Sequence, residues 1–256
     1  MIGIFDSGLG GLIIVKELLS RYSDLDFVYL GDTERYPYGN KSQEMIKKYA
    51  RQDVEFLLKK GATLIIIACN TATSLAGDYL KHEFPEIDFV NVIDPVVEDI
   101  AQSKINRLGV IGTRATISSN VYERKILNKN KDVLVFSKAC PLFVPLVEEG
   151  FIDHQITKIV ARKYLTSLRQ KNIESLVLGC THYPFLESII QRKVGRNVKI
   201  INSAKIVIDY AEKMYKNSFI GNKKQYFYFT DLSYQTNDLA KKWLGGDIDL
   251  RKTSLF

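Results

Sequence analysis

Two of the three cysteines in this 256-residue chain share a setting that could do chemistry. Cys69 closes the apolar run Leu64 to Ala68 and is followed by Asn70-Thr71; Cys180 closes Leu176 to Gly179 and is followed by Thr181-His182. Each therefore ends a predicted strand and precedes a polar loop expected to open a helix. Ligands of open parallel α/β sheets bind beyond the carboxyl ends of the strands. The free N–H groups of a helix N-terminus lower the pKa of a nearby thiol and receive carboxylates. Two such thiols suit the inversion of a stereocentre, in which one group removes a proton from one face and another returns a proton to the other. Free cysteine is also often a small buried hydrophobe, which is the competing reading. The polar neighbours and the internal repeat described below favour chemistry.

The neighbours are of the right types. The amide and hydroxyls of Asn70, Thr71 and Thr181 can hold an α-carboxylate, or cap the following helices, and the two roles are compatible. His182 can share a proton with Cys180 or with a substrate. The turn Asp6-Ser7-Gly8-Leu9-Gly10-Gly11 lets backbone approach an anion, with Ser7 as a donor and Asp6 as a partner for an ammonium group or a proton relay. It lacks the Gly-Lys-Ser/Thr of a P-loop. Gly112-Thr113-Arg114-Ala115-Thr116 is the corresponding turn of the second half, and the segment from Asp32 to Gly39 is polar enough to form a pocket wall. His82 and His154 lie in charged stretches and read as surface residues, and Cys140, before Pro141, reads as packing. No ligand spacing for zinc is present, so no metal is expected.

These residues are carried by short β-branched runs alternating with longer amphipathic stretches, the pattern of βα units around parallel sheets. Strands are expected at Ile2 to Phe5, Phe27 to Leu30, Leu64 to Ala68 and Asp88 to Ile93, with helices from Leu12 to Tyr22, from Ser42 and from Thr71. The plan then repeats. Leu108 to Ile111 echoes Ile2 to Phe5 at an offset of 106, Asp132 to Phe136 echoes Asp26 to Leu30 at the same offset, and Leu176 to Cys180 echoes Ile65 to Cys69 at 111. The fold class is therefore α/β, with two similar parallel-sheet domains related by a pseudo-twofold axis and the active site in the cleft between them. The expected division is 1–93 with about 206–256, and 94–205. A helix near Ala204 to Tyr215 and a strand near Tyr226 to Phe229 are expected to return the tail to the first domain.

Composition narrows the class further. With 46% hydrophobic and 25% charged residues the chain is ordinary for a globular protein. The net charge of +7 suits an anionic ligand, yet no dense basic run points to nucleic acid. An odd number of cysteines argues against disulfide pairing. No apolar run approaches the roughly 20 residues of a membrane span, and the start of the chain does not read as a signal peptide. A cytoplasmic location is expected.

Four blocks, Asp6-Ser7-Gly8-Leu9-Gly10-Gly11, Pro37-Tyr38-Gly39, Cys69-Asn70-Thr71-Ala72-Thr73 and Leu178-Gly179-Cys180-Thr181-His182-Tyr183-Pro184, together resemble the bacterial glutamate racemases of the aspartate/glutamate racemase family. Gly112 to Ile117 and Phe143 to Gly150 are similar to further blocks of that family, and the one visible departure is Ile13-Ile14, where the family often has a hydroxyl residue. The resemblance implies cofactor-independent racemisation of L- and D-glutamate for peptidoglycan synthesis, with a small-molecule substrate and a homodimer. It implies that Cys180 acts on the L-enantiomer and Cys69 on the D-enantiomer, assisted by Asp6 and His182. Substrate would be bound by Asp6, Ser7, Tyr38, Gly39, Asn70, Thr71, Thr113, Thr181 and His182, with Asp32 and Glu148 in family motifs. Alternatives are another amino-acid or hydantoin racemase of the superfamily, or a DNA gyrase-interacting binding protein.

Overall fold

A computed structural model describes residues 1–246 and 248–255. The chain divides into two compact units, one formed by Met1–Val92 and the segment from Ala204 onward, the other by Ile93–Ser203. The first unit holds strands β1 (Ile2–Asp6), β2 (Phe27–Gly31), β3 (Leu64–Ile67) and β4 (Asp88–Asn91). The second holds β5 (Arg107–Gly112), β6 (Leu134–Ala139), β7 (Ser175–Gly179) and β8 (Lys199–Ile201). β9 (Gln225–Phe229) and β10 (Leu250–Lys252) belong to the tail.

Both sheets are wholly parallel, in the orders β10-β9-β2-β1-β3-β4 and β6-β5-β7-β8. Parallel strands are joined by helical crossovers that cover the sheet faces, so their residues become apolar without alternation. β3 shows this directly: Leu64, Ile65, Ile66 and Ile67 are all at most 1% exposed. Each such side chain contributes roughly 1.5–3 kcal/mol through its burial. The helix Gln43–Lys59 packs on this sheet through Ile46, Ala50, Val54 and Leu57 and starts at Ser42, whose side chain accepts the Met45 N–H.

The sheet orders make the internal repeat explicit, since β2-β1-β3-β4 and β6-β5-β7-β8 follow the same sequence of neighbours. Ile2 pairs with Phe27 and Leu64, and Leu108 pairs with Val135 and Ser175. Ile2 thus corresponds to Leu108 and Leu64 to Ser175, which reproduces the offsets of 106 and 111 and makes Cys69 equivalent to Cys180. The second expected echo is two residues out: Phe27 corresponds to Val135, an offset of 108, because the β5–β6 connection is longer than its counterpart. Asp32 and Cys140 are consequently equivalent, and their N–H groups donate to Asp6 O and Gly112 O, each at 2.9 Å.

In the tail, β9 pairs in parallel with β2, Gln225 opposite Phe27, and β10 lies outside β9. The helix Tyr234–Leu244 and the strands β8 and β10 lie in stretches for which the sequence carried no expectation. Among the described residues no helix is long and apolar enough to cross a membrane.

Candidate active site

In the first domain Asp6 ends β1 and Cys69 follows β3, its neighbour in the sheet. Asp6 is fully buried, and its Oδ2 accepts the Gly8 N–H at 3.0 Å, which folds the Gly-rich turn back over the strand end. The Tyr29 hydroxyl donates to Gly8 O at 2.8 Å and holds the same turn from β2. Gly31 is required beneath it, because a Cβ there would lie 2.6 Å from Gly8 O. The turn brings Ser7 to Cys69: the thiol donates to Ser7 Oγ at 3.5 Å.

Cys69 is the N-cap of the helix Asn70–Glu83, and its sulfur accepts the Ala72 N–H at 3.4 Å. Asn70 and Thr71 form the first turn of that helix and are buried. The helix N-terminus does not leave Cys69 an easily formed thiolate. Burial first, and then the charge of Asp6, push its pKa up to about 12, against the smaller opposing hydrogen bonds from Ser7 and Ala72. The expectation of a lowered pKa fails here because the cap is sealed from water and faces a carboxylate.

Tyr38 and Gly39 lie on a short turn, Tyr38–Asn40, that packs against the helix Asn70–Glu83. Tyr38 is buried and Gly39 half-buried. The Tyr38 hydroxyl is engaged with Asp32 and Asp53, which leaves the backbone of the turn as what Tyr38 can offer a ligand.

In the second domain Gly112 of β5 and Gly179 of β7 are opposite one another in register, so Thr113 and Cys180 leave neighbouring strand ends together. A Cβ on Gly179 would stand 2.7 Å from Ile111 O, so glycine is what lets the strand ends approach. Thr113 caps the helix Arg114–Ser118, its Oγ1 accepting the Thr116 N–H at 3.1 Å. Cys180 and Thr181 are 6% exposed and His182 is 2% exposed. The loop after Cys180 does not open directly into an α-helix as expected: a 3₁₀ turn, Tyr183–Leu186, comes first, and the helix Glu187–Val194 starts only after it. His182 Nε2 lies 3.1 Å from Glu148 Oε1. Burial works against a charged imidazole, but hydrogen bonds to Cys180 and Glu148 outweigh it and raise the His182 pKa to about 10.

His82 and His154 are exposed, and His154 caps the helix Gln155–Gln170 by accepting the Ile156 N–H. Cys140 is fully buried, with its thiol 3.7 Å from Lys138 O. Among the described residues no group of three or more His, Cys, Asp and Glu side chains could hold a metal ion. The sequence reading passed over Asp53, although a carboxylate on the stripe Ile46-Ala50-Val54-Leu57 was a visible signal. It also passed over Thr230, which reaches Asp32 from the tail.

Twin parallel sheets of the same strand order each place a cysteine just beyond the carboxyl end of the equivalent strand, the arrangement of an α/β protein built from two similar domains. The chain belongs to the Asp/Glu/hydantoin racemase family, whose model matches residues 15–211. It is 43% identical over 253 residues to the glutamate racemase of Chlorobaculum tepidum, covering 96% of this chain and 93% of that one. It resembles the crystal structure of Francisella tularensis glutamate racemase in complex with D-glutamate, with a TM-score of 0.93, 37% identity and coverage of 99% and 97%. The glutamate racemase of Aquifex pyrophilus is similar as well, with a TM-score of 0.84, 40% identity and coverage of 100% and 99%.

Proposed function

We propose that this protein interconverts L- and D-glutamate by a cofactor-independent, two-thiol mechanism and supplies D-glutamate for peptidoglycan synthesis. One observation supports the reading: Cys69 and Cys180 follow register-equivalent strands of two sheets with the same order, with an ionisable neighbour, Asp6 or His182, beside each. The similarity to named glutamate racemases over nearly the whole chain selects the substrate.

In this reading the α-proton leaves to a sulfur on one face and a proton arrives from the other sulfur on the opposite face, so the two exchange roles with direction. Cys180 takes the proton of the L-enantiomer and Cys69 that of the D-enantiomer. Asp6 and His182 serve the thiols. Ser7, Asn70, Thr71, Thr113, Thr181 and the backbone at Tyr38 and Gly39 bind the substrate, through donors suited to its carboxylates. The reading includes a cytoplasmic homodimer, which light scattering of the purified chain checks by returning twice the monomer mass. Its direct test is incubation of metal-depleted protein with each enantiomer in D₂O. Racemisation with one α-deuterium per inverted molecule is expected, and no inversion of either enantiomer would overturn it.

A further inference from the structure

Four ionisable side chains are buried together in the first domain with no part in moving the α-proton. Asp32 and Asp53 are 0% exposed, Tyr38 1% and Arg35 8%. Three of them belong to the segment 32–40 that ends in the proposed substrate turn, and Asp53 reaches them from the helix Gln43–Lys59.

Arg35 is bonded on every side. Its Nε donates to Asp32 Oδ2 at 2.6 Å, its Nη2 to Asp53 Oδ1 at 2.8 Å and its Nη1 to Gln52 Oε1, while the Tyr49 ring lies 4.3 Å from the guanidinium carbon. Thr230 Oγ1 donates to the remaining Asp32 oxygen at 3.0 Å. The Tyr38 hydroxyl then lies within bonding reach of both carboxyl groups, 2.9 Å from Asp53 Oδ2 and bonded to Asp32 Oδ2.

That arrangement has a proton count. Tyr38 Oη bridges two carboxyl oxygens and brings one proton, which serves only one of the two bonds. The other bond needs a proton on a carboxyl group, with Tyr38 Oη accepting it. Asp32 already receives Arg35 and Thr230 as well as Tyr38, so it is the better-supported carboxylate, and the extra proton falls to Asp53. The count also balances charge, since one buried guanidinium then faces one carboxylate rather than two. Burial, and then the negative charge of Asp32, act in that direction and push the Asp53 carboxyl well above the usual carboxylate range, against Arg35 and the Tyr38 bond; burial raises Asp32 as well, but Arg35, Tyr38 and Thr230 all oppose it there.

We infer that Arg35 and a protonated Asp53 are positioning residues, which clamp the substrate turn through Tyr38 and so set the affinity for substrate at the Tyr38–Gly39 backbone. This rests on the proposed glutamate-binding role of that turn. A buried, fully bonded network has one arrangement rather than several, and small misplacements of a positioning group weaken binding and turnover.

The test uses the full chain carrying Asp53→Asn, Asp53→Ala or Tyr38→Phe. Steady-state kinetics are measured in both directions, and amide hydrogen exchange is followed by mass spectrometry over residues 32–41. An Asn keeps a donor toward Tyr38 Oη and an acceptor for Arg35, so Asp53→Asn should keep KM and kcat within about threefold of wild type and leave exchange unchanged. Asp53→Ala should raise KM about tenfold or more, lower kcat less, and speed exchange over 32–41. Tyr38→Phe, which loses only the bridging hydroxyl, should shift KM and exchange the same way and decides the matter if Asp53→Ala does not fold. Unchanged KM and exchange in Asp53→Ala or Tyr38→Phe would overturn the clamp, and an Asp53→Asn as impaired as Asp53→Ala would overturn the proton on Asp53. Failure of wild-type protein to racemise glutamate would instead remove the functional reading, while the exchange data would still decide the clamp.

Discussion

Cys69 and Cys180 occupy the same place in two sheets of the same strand order, yet their surroundings are opposite in electrical character. Around Cys69 stand Asp6, the Ser7 hydroxyl and a helix N-terminus, all sealed from water, and the sulfur keeps its proton. Around Cys180 stands a buried imidazole whose pKa is raised by its bonds to Cys180 and then Glu148, against its burial, and no helix begins at the sulfur. A duplicated backbone therefore fixes where the two sulfurs sit, and unlike neighbours decide what each is ready to do. A carboxylate and a helix N-terminus thus stand at Cys69, and an imidazole paired with Glu148 stands beside Cys180.

The largest expected effect tests whether both halves are needed. Cys69→Ala and Cys180→Ala should each lower net racemisation about 10²–10⁴-fold or more, the usual range for loss of a positioned acid or base. A polarimetric assay in both directions reads this. One variant with near wild-type activity would break the pairing.

A second effect belongs to the Cys180 side alone. His182 has a pKa raised from 6.5 to about 10, so its bound proton stabilises the folded state in full below pH 6.5, and that contribution is lost as pH rises toward 10. The stability gap between wild type and His182→Asn, taken from urea unfolding, should be on the order of a few kcal/mol at pH 6 and narrow steadily through pH 9. A gap that stays constant or widens over that window would contradict a charged His182.

The smallest effect separates the sulfurs structurally. Cys69 caps a helix and Cys180 does not, so Cys69→Ala should cost about 1 kcal/mol of stability that Cys69→Ser largely restores. Cys180→Ala and Cys180→Ser should differ little. Urea midpoints of the four variants measure it, and an equal Ala–Ser gap at both positions would remove the distinction.

Much of this contrast was legible in the letters, and the losses have physical causes. The strands bearing Cys69 and Cys180 are continuous apolar runs because helices cover both faces, and polar residues at their ends stand out against them. β8 and β10 span three residues each, and β10, at the sheet edge, contains the exposed Arg251 and Lys252, so neither gives an apolar run to read. The raised pKa of Cys69 is not legible in the letters, because helix termini are visible in sequence and burial beside Asp6 is not. Thr230 bonds Asp32 across 198 positions, a contact created only when β9 pairs with β2.

Whether two unlike thiols serve two opposite faces is decided by following half of the reaction in each single-cysteine variant. Net rates cannot show this, because the enantiomers are equal in free energy and kcat/KM must match in the two directions. Wash-out of the α-proton into D₂O, or chloride elimination from a β-chloro analogue, reports one deprotonation alone. Cys180→Ala, which keeps Cys69, should retain the half-reaction on the D-enantiomer, and Cys69→Ala should retain it on the L-enantiomer, since a base must stand within about 3 Å of the proton it takes. The same enantiomer preference in both variants would mean that the two sulfurs do not serve opposite faces.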